Sequence, residues 1–155
     1  MKISELLPKA HLFDAANLTS KKAVLQHLAH LASTETGLGE RLIFDKLLER
    51  ERLGSTGVGS GVAIPHGRFN ELDHMVAFFV KLHKKVDYDA VDDRPVDLIF
   101  LLLTPETEGS DHLQALAAIS RQMRDPRLCA KIRKEKSVDA LYELLTHDAQ
   151  MADAL

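Results

Sequence analysis

Cysteine is nearly absent. Cys129 alone in 155 residues excludes an internal disulfide framework and suits a reducing cytosol. Tryptophan is missing and tyrosine occurs twice. The chain therefore has no aromatic–basic interleaving on which nucleic-acid bases could stack. Basic excess is lacking as well. Twenty Lys and Arg face 23 Asp and Glu, a formal net charge of -3, so nothing supplies the clustered basic face that nucleic acid requires. Long apolar runs are absent. Leu98–Leu103 is six residues against the roughly 18 of a membrane-spanning helix, and we expect no membrane insertion. The opening Met1–Pro8 is too short and too charged for a secretion signal, which leads us to expect a cytoplasmic protein. Repeats, linkers and low-complexity segments are not found.

What is present is an ordinary globular composition, 45% hydrophobic and 28% charged. We expect one domain over residues 1–155, with a frayed tail over about 146–155. Helices and strands alternate. Thr19 or Ser20 can cap a helix reaching about Ala32, with Val24, Leu25, Leu28 and Leu31 on one face. A second helix is expected over Glu40–Arg52, burying Ile43, Phe44, Leu47 and Leu48 and stopping at a left-handed Gly54. Val62–Ile64, Met75–Leu82 and Val96–Leu103 read as strands, the last two as interior ones. Ser110 then caps a helix to about Arg124, with Leu113, Leu116, Ala117 and Ser120 spaced for burial. Asp125-Pro126 starts a short helix to Lys134, and Ser137 caps a last one to about Leu145, with Val138, Leu141 and Leu145 inward. The spacing between Leu82 and Val96 leaves no room for a crossover helix. The expected fold class is therefore α/β, a layered sandwich with a central mixed β-sheet flanked by helices.

The most informative stretch is Gly54–Arg68. Glycines at 54, 57, 59 and 61 precede a short apolar strand that ends in Pro65-His66-Gly67. Backbone N–H groups in such a loop can hold a phosphate; a flexible turn explains the glycines equally well. The loop is not a P-loop, since no Lys-Ser or Lys-Thr pair follows it, nor a dinucleotide fingerprint or a serine-nucleophile elbow. Pro65 and Gly67 project His66 from a strand end without crowding, and a neutral imidazole there is a nucleophile near pH 7. A hydrogen-bonded structural histidine is the plainer account of that residue taken alone. His112 falls in the first turn of the helix after Ser110, where unpaired N–H groups attract anions. Asp111 beside it would repel them, and a solvent-facing helix-start residue is the plainer account of His112 taken alone. Arg50, at the end of the second helix, could balance phosphate charge or simply complement a helix C-terminus. His27 and His30 are spaced for one helical face, but no third ligand accompanies them, and we expect no metal site.

Together these residues resemble a known family. Gly54-Ser55-Thr56-Gly57, Gly59, Gly61-Val62-Ala63-Ile64-Pro65-His66-Gly67, the preceding Arg50-Glu51, the Tyr88–Leu98 passage and His112-Leu113 look like the IIA domains of the bacterial phosphoenolpyruvate-dependent phosphotransferase system. The likeness is to the fructose/mannitol type, and within it most of all to the nitrogen-regulatory proteins, over nearly the whole chain. Arg68 stands where lysine would also be expected. The resemblance implies a layered α/β fold with a mixed sheet. It implies that His66 accepts a phosphoryl group from a small histidine phosphocarrier protein, without metal or organic cofactor. It further implies that His112 stabilises that group and that Arg50, Ser55 and Thr56 bind it. Regulatory target proteins would then be the partners. With no IIB or IIC segment in the sequence, a regulator is expected before a sugar-permease part. The alternatives are a sugar-transport IIA that donates to a separate IIB protein and a binding module that has lost phosphotransfer.

Overall fold

A computed structural model describes residues 2–15, 17–107 and 109–147. The expected tail lies almost wholly outside the described residues. A six-stranded mixed sheet carries helices on both faces. The strands are β1 (Leu12–Ala15), β2 (Gly57–Gly59), β3 (Val62–Ala63), β4 (His66–Phe69), β5 (Val76–Val86) and β6 (Val96–Pro105). Among the described residues the helices are α1 (Ile3–Leu6), α2 (Lys21–Thr36), α3 (Glu40–Arg52), α4 (Gly109–Met123), α5 (Pro126–Lys134) and α6 (Val138–Thr146).

The two long strands organise everything else. β5 and β6 pair antiparallel, as their short connection requires. β6 is buried along its whole length, which explains its unbroken apolar sequence. Its side chains divide by strict alternation. Ile99, Leu101 and Leu103 join the core beneath α2 and α3, while Leu98, Phe100 and Leu102 join the core beneath α1, α4, α5 and α6. β1 lies parallel to β5 on the other side.

Beyond β6, β3 and β4 run parallel to it one after the other, β3 against Leu98 and Ile99 and β4 against Leu102–Pro105. They are one line of chain interrupted at Ile64-Pro65. Proline has no N–H to give the ladder, yet its carbonyl still accepts from Leu102 N at 3.0 Å. The strand expected over Val62–Ile64 is thus shorter, and it resumes as β4 with His66 as its first residue.

Local chemistry explains the helix ends. Ser20 Oγ accepts from Ala23 N, Asp125 Oδ1 from Arg127 N and Ser137 Oγ from Ala140 N. α3 has the expected bounds. Its Gly54 takes a positive φ of 150 just past the helix end, and Leu53 and Gly54 N–H groups return to Arg50 and Glu51 carbonyls. Ser110 lies inside α4, which starts at Gly109.

The buried face of α4 differs from the one expected. His112, Ala115, Ile119 and Met123 point inward, whereas Leu113 is 64% exposed, Ala117 is exposed and Leu116 and Ser120 are half-buried. Hydrophobicity misplaced this stripe because a histidine begins it. Val138 is likewise exposed, at the first turn of α6.

The glycine loop is a tight β2–β3 hairpin. A Cβ on Gly57 would sit 2.7 Å from Ala90 Cβ and 2.9 Å from Ala90 Cα. Backbone must shift to admit it, so Gly57→Ala is expected to destabilise the protein by about 2 kcal/mol. Urea unfolding measures this, and a stability equal to wild type would contradict the packing argument.

Candidate functional site

His66 opens β4 directly after the Pro65 break. In the parallel ladder it stands beside Leu102, and Arg68 stands beside Thr104. Side chains at even register points along β6 face α4, so the pairing turns His66, Arg68 and Thr104 towards that helix. There α4 presents His112 inward from its first turn. The two imidazoles lie with centroids 5.5 Å apart, tilted by 60°.

The hydrogen bonds of His66 determine its tautomer. Its Nδ1 lies 2.8 Å from Ile64 O, and a carbonyl only accepts, so Nδ1 carries the proton. Arg50 Nε donates to Nε2 at 3.2 Å, which requires a lone pair there. Both contacts give the same answer: Nε2 is the nucleophilic nitrogen. Arg50 is itself held by Nη1 donating to Gly54 O at 2.8 Å.

Both rings are kept neutral. Burial is the main cause for His66, assisted by the positive charges of Arg50 and Arg68 and opposed by the Ile64 hydrogen bond and Glu51. For His112, burial followed by the charges of Arg68 and His66 lowers the pKa to about 4 from the ordinary 6.5. A folded-state value below the unfolded one means that the native protein binds fewer protons between those limits. Stability is therefore lost as pH falls from about 6.5 towards 4 and is unaffected by this residue above that window. We expect His112 to cost about 2 kcal/mol at pH 5 relative to pH 7. Urea titrations at both pH values check this: His112→Phe should remove part of the wild-type slope, and identical slopes would refute it.

Ser55 and Thr56 lie at the base of the loop, with their hydroxyls engaged there. Ser55 Oγ accepts from Gly57 N at 3.0 Å and lies 3.5 Å from Tyr88 O. Thr56 is buried, and its hydroxyl contacts the Glu51 carboxylate and Tyr88 OH. The structure brings His66, His112 and Arg50 together; it shows no contact from either hydroxyl to His66.

Several residues that hold the site escaped sequence reasoning. Glu51 entered the sequence reading only as the neighbour of Arg50 and with no role of its own, yet it is buried. Its Oε2 takes Lys21 Nζ at 2.9 Å, and its Oε1 takes Thr56 N at 2.9 Å, the Thr56 hydroxyl and Tyr88 OH. Tyr88 is fully buried, and desolvation together with Glu51 holds its hydroxyl protonated far above its usual range. Farther along the hairpin, Asp92 Oδ2 accepts from Ser60 N. Arg133 binds Asp97 through two nitrogens and Ser60 O through Nη2 at 3.0 Å. The sequence signals for these anchors were the Arg50-Glu51 pair and the Tyr88–Leu98 passage. His30, spaced with His27 on α2, pairs instead with Glu40 at 2.7 Å.

Chemically, the arrangement is a neutral imidazole whose one ring lone pair accepts from Arg50, with the Arg68 guanidinium and a second neutral imidazole nearby. Such a set suits transient attachment of a dianionic group to Nε2. The sequence places the chain in a named class. Residues 5–148 match the model of the EIIA 2 family of the phosphoenolpyruvate-dependent sugar phosphotransferase system, and the chain belongs to that family. A protein named nitrogen regulatory protein from Bradyrhizobium diazoefficiens is 44% identical over 145 residues, covering 94% of this chain and 95% of that one. The crystal structure of the nitrogen regulatory protein IIA-Ntr from Neisseria meningitidis superposes with a TM-score of 0.87 at 34% identity, covering 93% of this chain and 99% of that one. A fructose-specific EIIA component from Haloferax volcanii is 33% identical over 127 residues, 81% of this chain and 82% of that one.

Proposed function

We propose that this protein is a cytosolic phosphohistidine carrier and that its loaded and bare forms regulate partner proteins in the nitrogen branch of the system. The observation that carries this reading is the tautomer of His66. Its Nδ1 proton is held by Ile64 O, and its Nε2 lone pair is accessible beside Arg50. In the transfer step, Nε2 attacks the phosphorus of a phosphohistidine on a small phosphocarrier protein. The new N–P bond forms as the donor's N–P bond breaks, and the electron pair returns to the donor imidazole. Arg50 Nε–H leaves Nε2 for a phosphoryl oxygen as the donor arrives, which frees the lone pair for the attack, and His112 supports a second oxygen. The Nδ1 proton stays on His66, which keeps the imidazole a good leaving group for onward transfer. Ser55 and Thr56 enter this reading by shaping the loop beneath the phosphoryl group.

A docking face accompanies the site. Leu53, Val58, Val91 and Leu113 are among the most exposed large hydrophobic residues described. Leu53 follows Arg50 closely in sequence, Val58 lies in the hairpin, Leu113 follows His112, and Val91 N bonds to Gly57 O of the hairpin at 3.0 Å. An apolar surface with charged neighbours suits a protein donor. The regulatory emphasis rests on the naming of the Bradyrhizobium and Neisseria relatives. The fructose-specific relative supports the rival reading, a sugar-transport component that passes the group to a IIB protein.

The test is incubation with phosphoenolpyruvate, the system's first enzyme and the phosphocarrier protein, followed by intact mass. One added phosphoryl group, lost in acid, is the expected result. No added mass on the wild type would end the carrier reading. Rapid discharge onto a IIB protein would favour the sugar branch.

A further inference from the structure

Thr104 is completely buried near the end of β6, an unusual place for a hydroxyl unless it has partners. It has two. Its Oγ1 lies 2.7 Å from His112 Nδ1 and 3.5 Å from Gly67 O. Two proton arrangements are open. In one, the hydroxyl donates to Nδ1, and His112 carries its proton on Nε2. In the other, Nδ1–H donates to the hydroxyl, which must turn its own proton to Gly67 O at the longer distance. The first arrangement uses the short contact and relies on nothing weaker. The second depends on a bond at the limit of useful length.

We propose that Thr104 is a positioning residue that holds His112 as its Nε2–H tautomer, so that the ring offers a donor to a group carried on His66. The consequence follows from His112's surroundings. With Nδ1 occupied by Thr104, Nε2 is the one ring nitrogen left for a ligand. A bare Nε2 lone pair would repel a phosphoryl oxygen, whereas Nε2–H attracts it. The strand register sets this up, since Thr104 pairs with Arg68, two residues beyond His66 on the same face. Thr104 can also accept from Nδ1–H by rotating its proton towards Gly67 O. The site thereby retains a hydrogen bond if His112 gains a second proton when negative charge arrives on His66.

This inference rests on the carrier reading for its kinetic arm and on the ring geometry alone for its spectroscopic arm. The variants are Thr104→Val, which keeps the shape and removes the hydroxyl, and Thr104→Ser, which keeps the hydroxyl. Long-range proton–nitrogen correlation spectra of histidine-labelled protein at neutral pH report which nitrogen of His112 is protonated. Phosphoryl transfer from the phosphocarrier is timed in parallel. We expect protonated Nε2 and bare Nδ1 in wild type and Thr104→Ser, with rates within about twofold of one another. Thr104→Val should show mixed tautomers and transfer about tenfold slower, on the scale of weakening one hydrogen-bond donor to the transferred group. Protonated Nδ1 in the wild type would overturn the proposal. So would a slow Thr104→Val with an unchanged tautomer, an altered tautomer with an unchanged rate, or a failure of Thr104→Ser to restore both. If the wild type accepts no phosphoryl group, the carrier reading falls by itself, and the wild-type and Thr104→Val spectra still decide the role of Thr104.

Discussion

His66→Ala is expected to remain folded and to take no phosphoryl group at all, while His112→Ala labels about a hundredfold more slowly. The difference follows from what each ring does. His66 supplies the lone pair that faces Arg50, on Nε2, with Nδ1 tied to Ile64 O. Nothing replaces a lost nucleophile. In the proposed carrier reading, His112 acts on charge that develops beside it, with its ring centroid 5.5 Å from that of His66. Deleting one preorganised donor of that kind costs about 10²–10³ in rate, and Arg50 and Arg68 remain to share the load. Intact mass over time, with each variant's fold confirmed by circular dichroism, reads both effects. Persistent label on His66→Ala would show that the phosphoryl group sits elsewhere. Wild-type kinetics for His112→Ala would remove it from the site's chemistry.

Glu51→Ala is expected to lower folding stability by about 3–5 kcal/mol, the usual result of breaking a buried charge pair from one side. The carboxylate is almost entirely buried and meets Lys21, the Thr56 backbone and hydroxyl, and Tyr88. Alanine leaves Lys21 Nζ over the Tyr88 ring without its counter-ion and Thr56 N–H without its acceptor. Function should suffer as well. Thr56 begins the hairpin that leads to His66, and Ile64 N bonds back to Thr56 O at 2.9 Å. Loosening Thr56 therefore loosens the segment that fixes the His66 tautomer. Urea unfolding measures the first effect. A loss below about 1 kcal/mol, the scale of an exposed pair, would show that Glu51 is not the buried anchor described here.

Much of the fold was legible because the long elements carry their own signals. Apolar spacing and polar caps placed α2, α3, α5 and α6, and the unbroken runs at Val76 and Val96 placed β5 and β6. The shorter elements α1, β1, β2 and β4 were not seen. A strand of two to four residues owes its conformation to the partner it pairs with, so periodicity has too few residues to register. The inward face of α4 was misjudged at Leu113, because exposing a leucine and burying a histidine inverts the ordinary preference. Of these departures, β4 and the inward face of α4 fall at the site.

By itself the sequence determined the family, through the run from Arg50 to His66 and the later His112, and with it the candidate phosphoryl acceptor. Those features are local or follow one another in order, and a motif needs nothing more. Only the tertiary structure decided which nitrogen of His66 is free, that Glu51 is an anchor and not a solvated charge, and that Thr104 meets His112. Each depends on a contact between separate elements: Arg50 of α3 with His66 of β4, Lys21 of α2 and Tyr88 with Glu51 of α3, and Thr104 of β6 with His112 of α4. The Pro65 break starts β4 at His66, the parallel register against β6 aligns Arg68 with Thr104, and α4 delivers His112 to the same face. Hydrogen bonds act over about 3 Å, and sequence spacing carries no information at that scale once the partners lie on different elements.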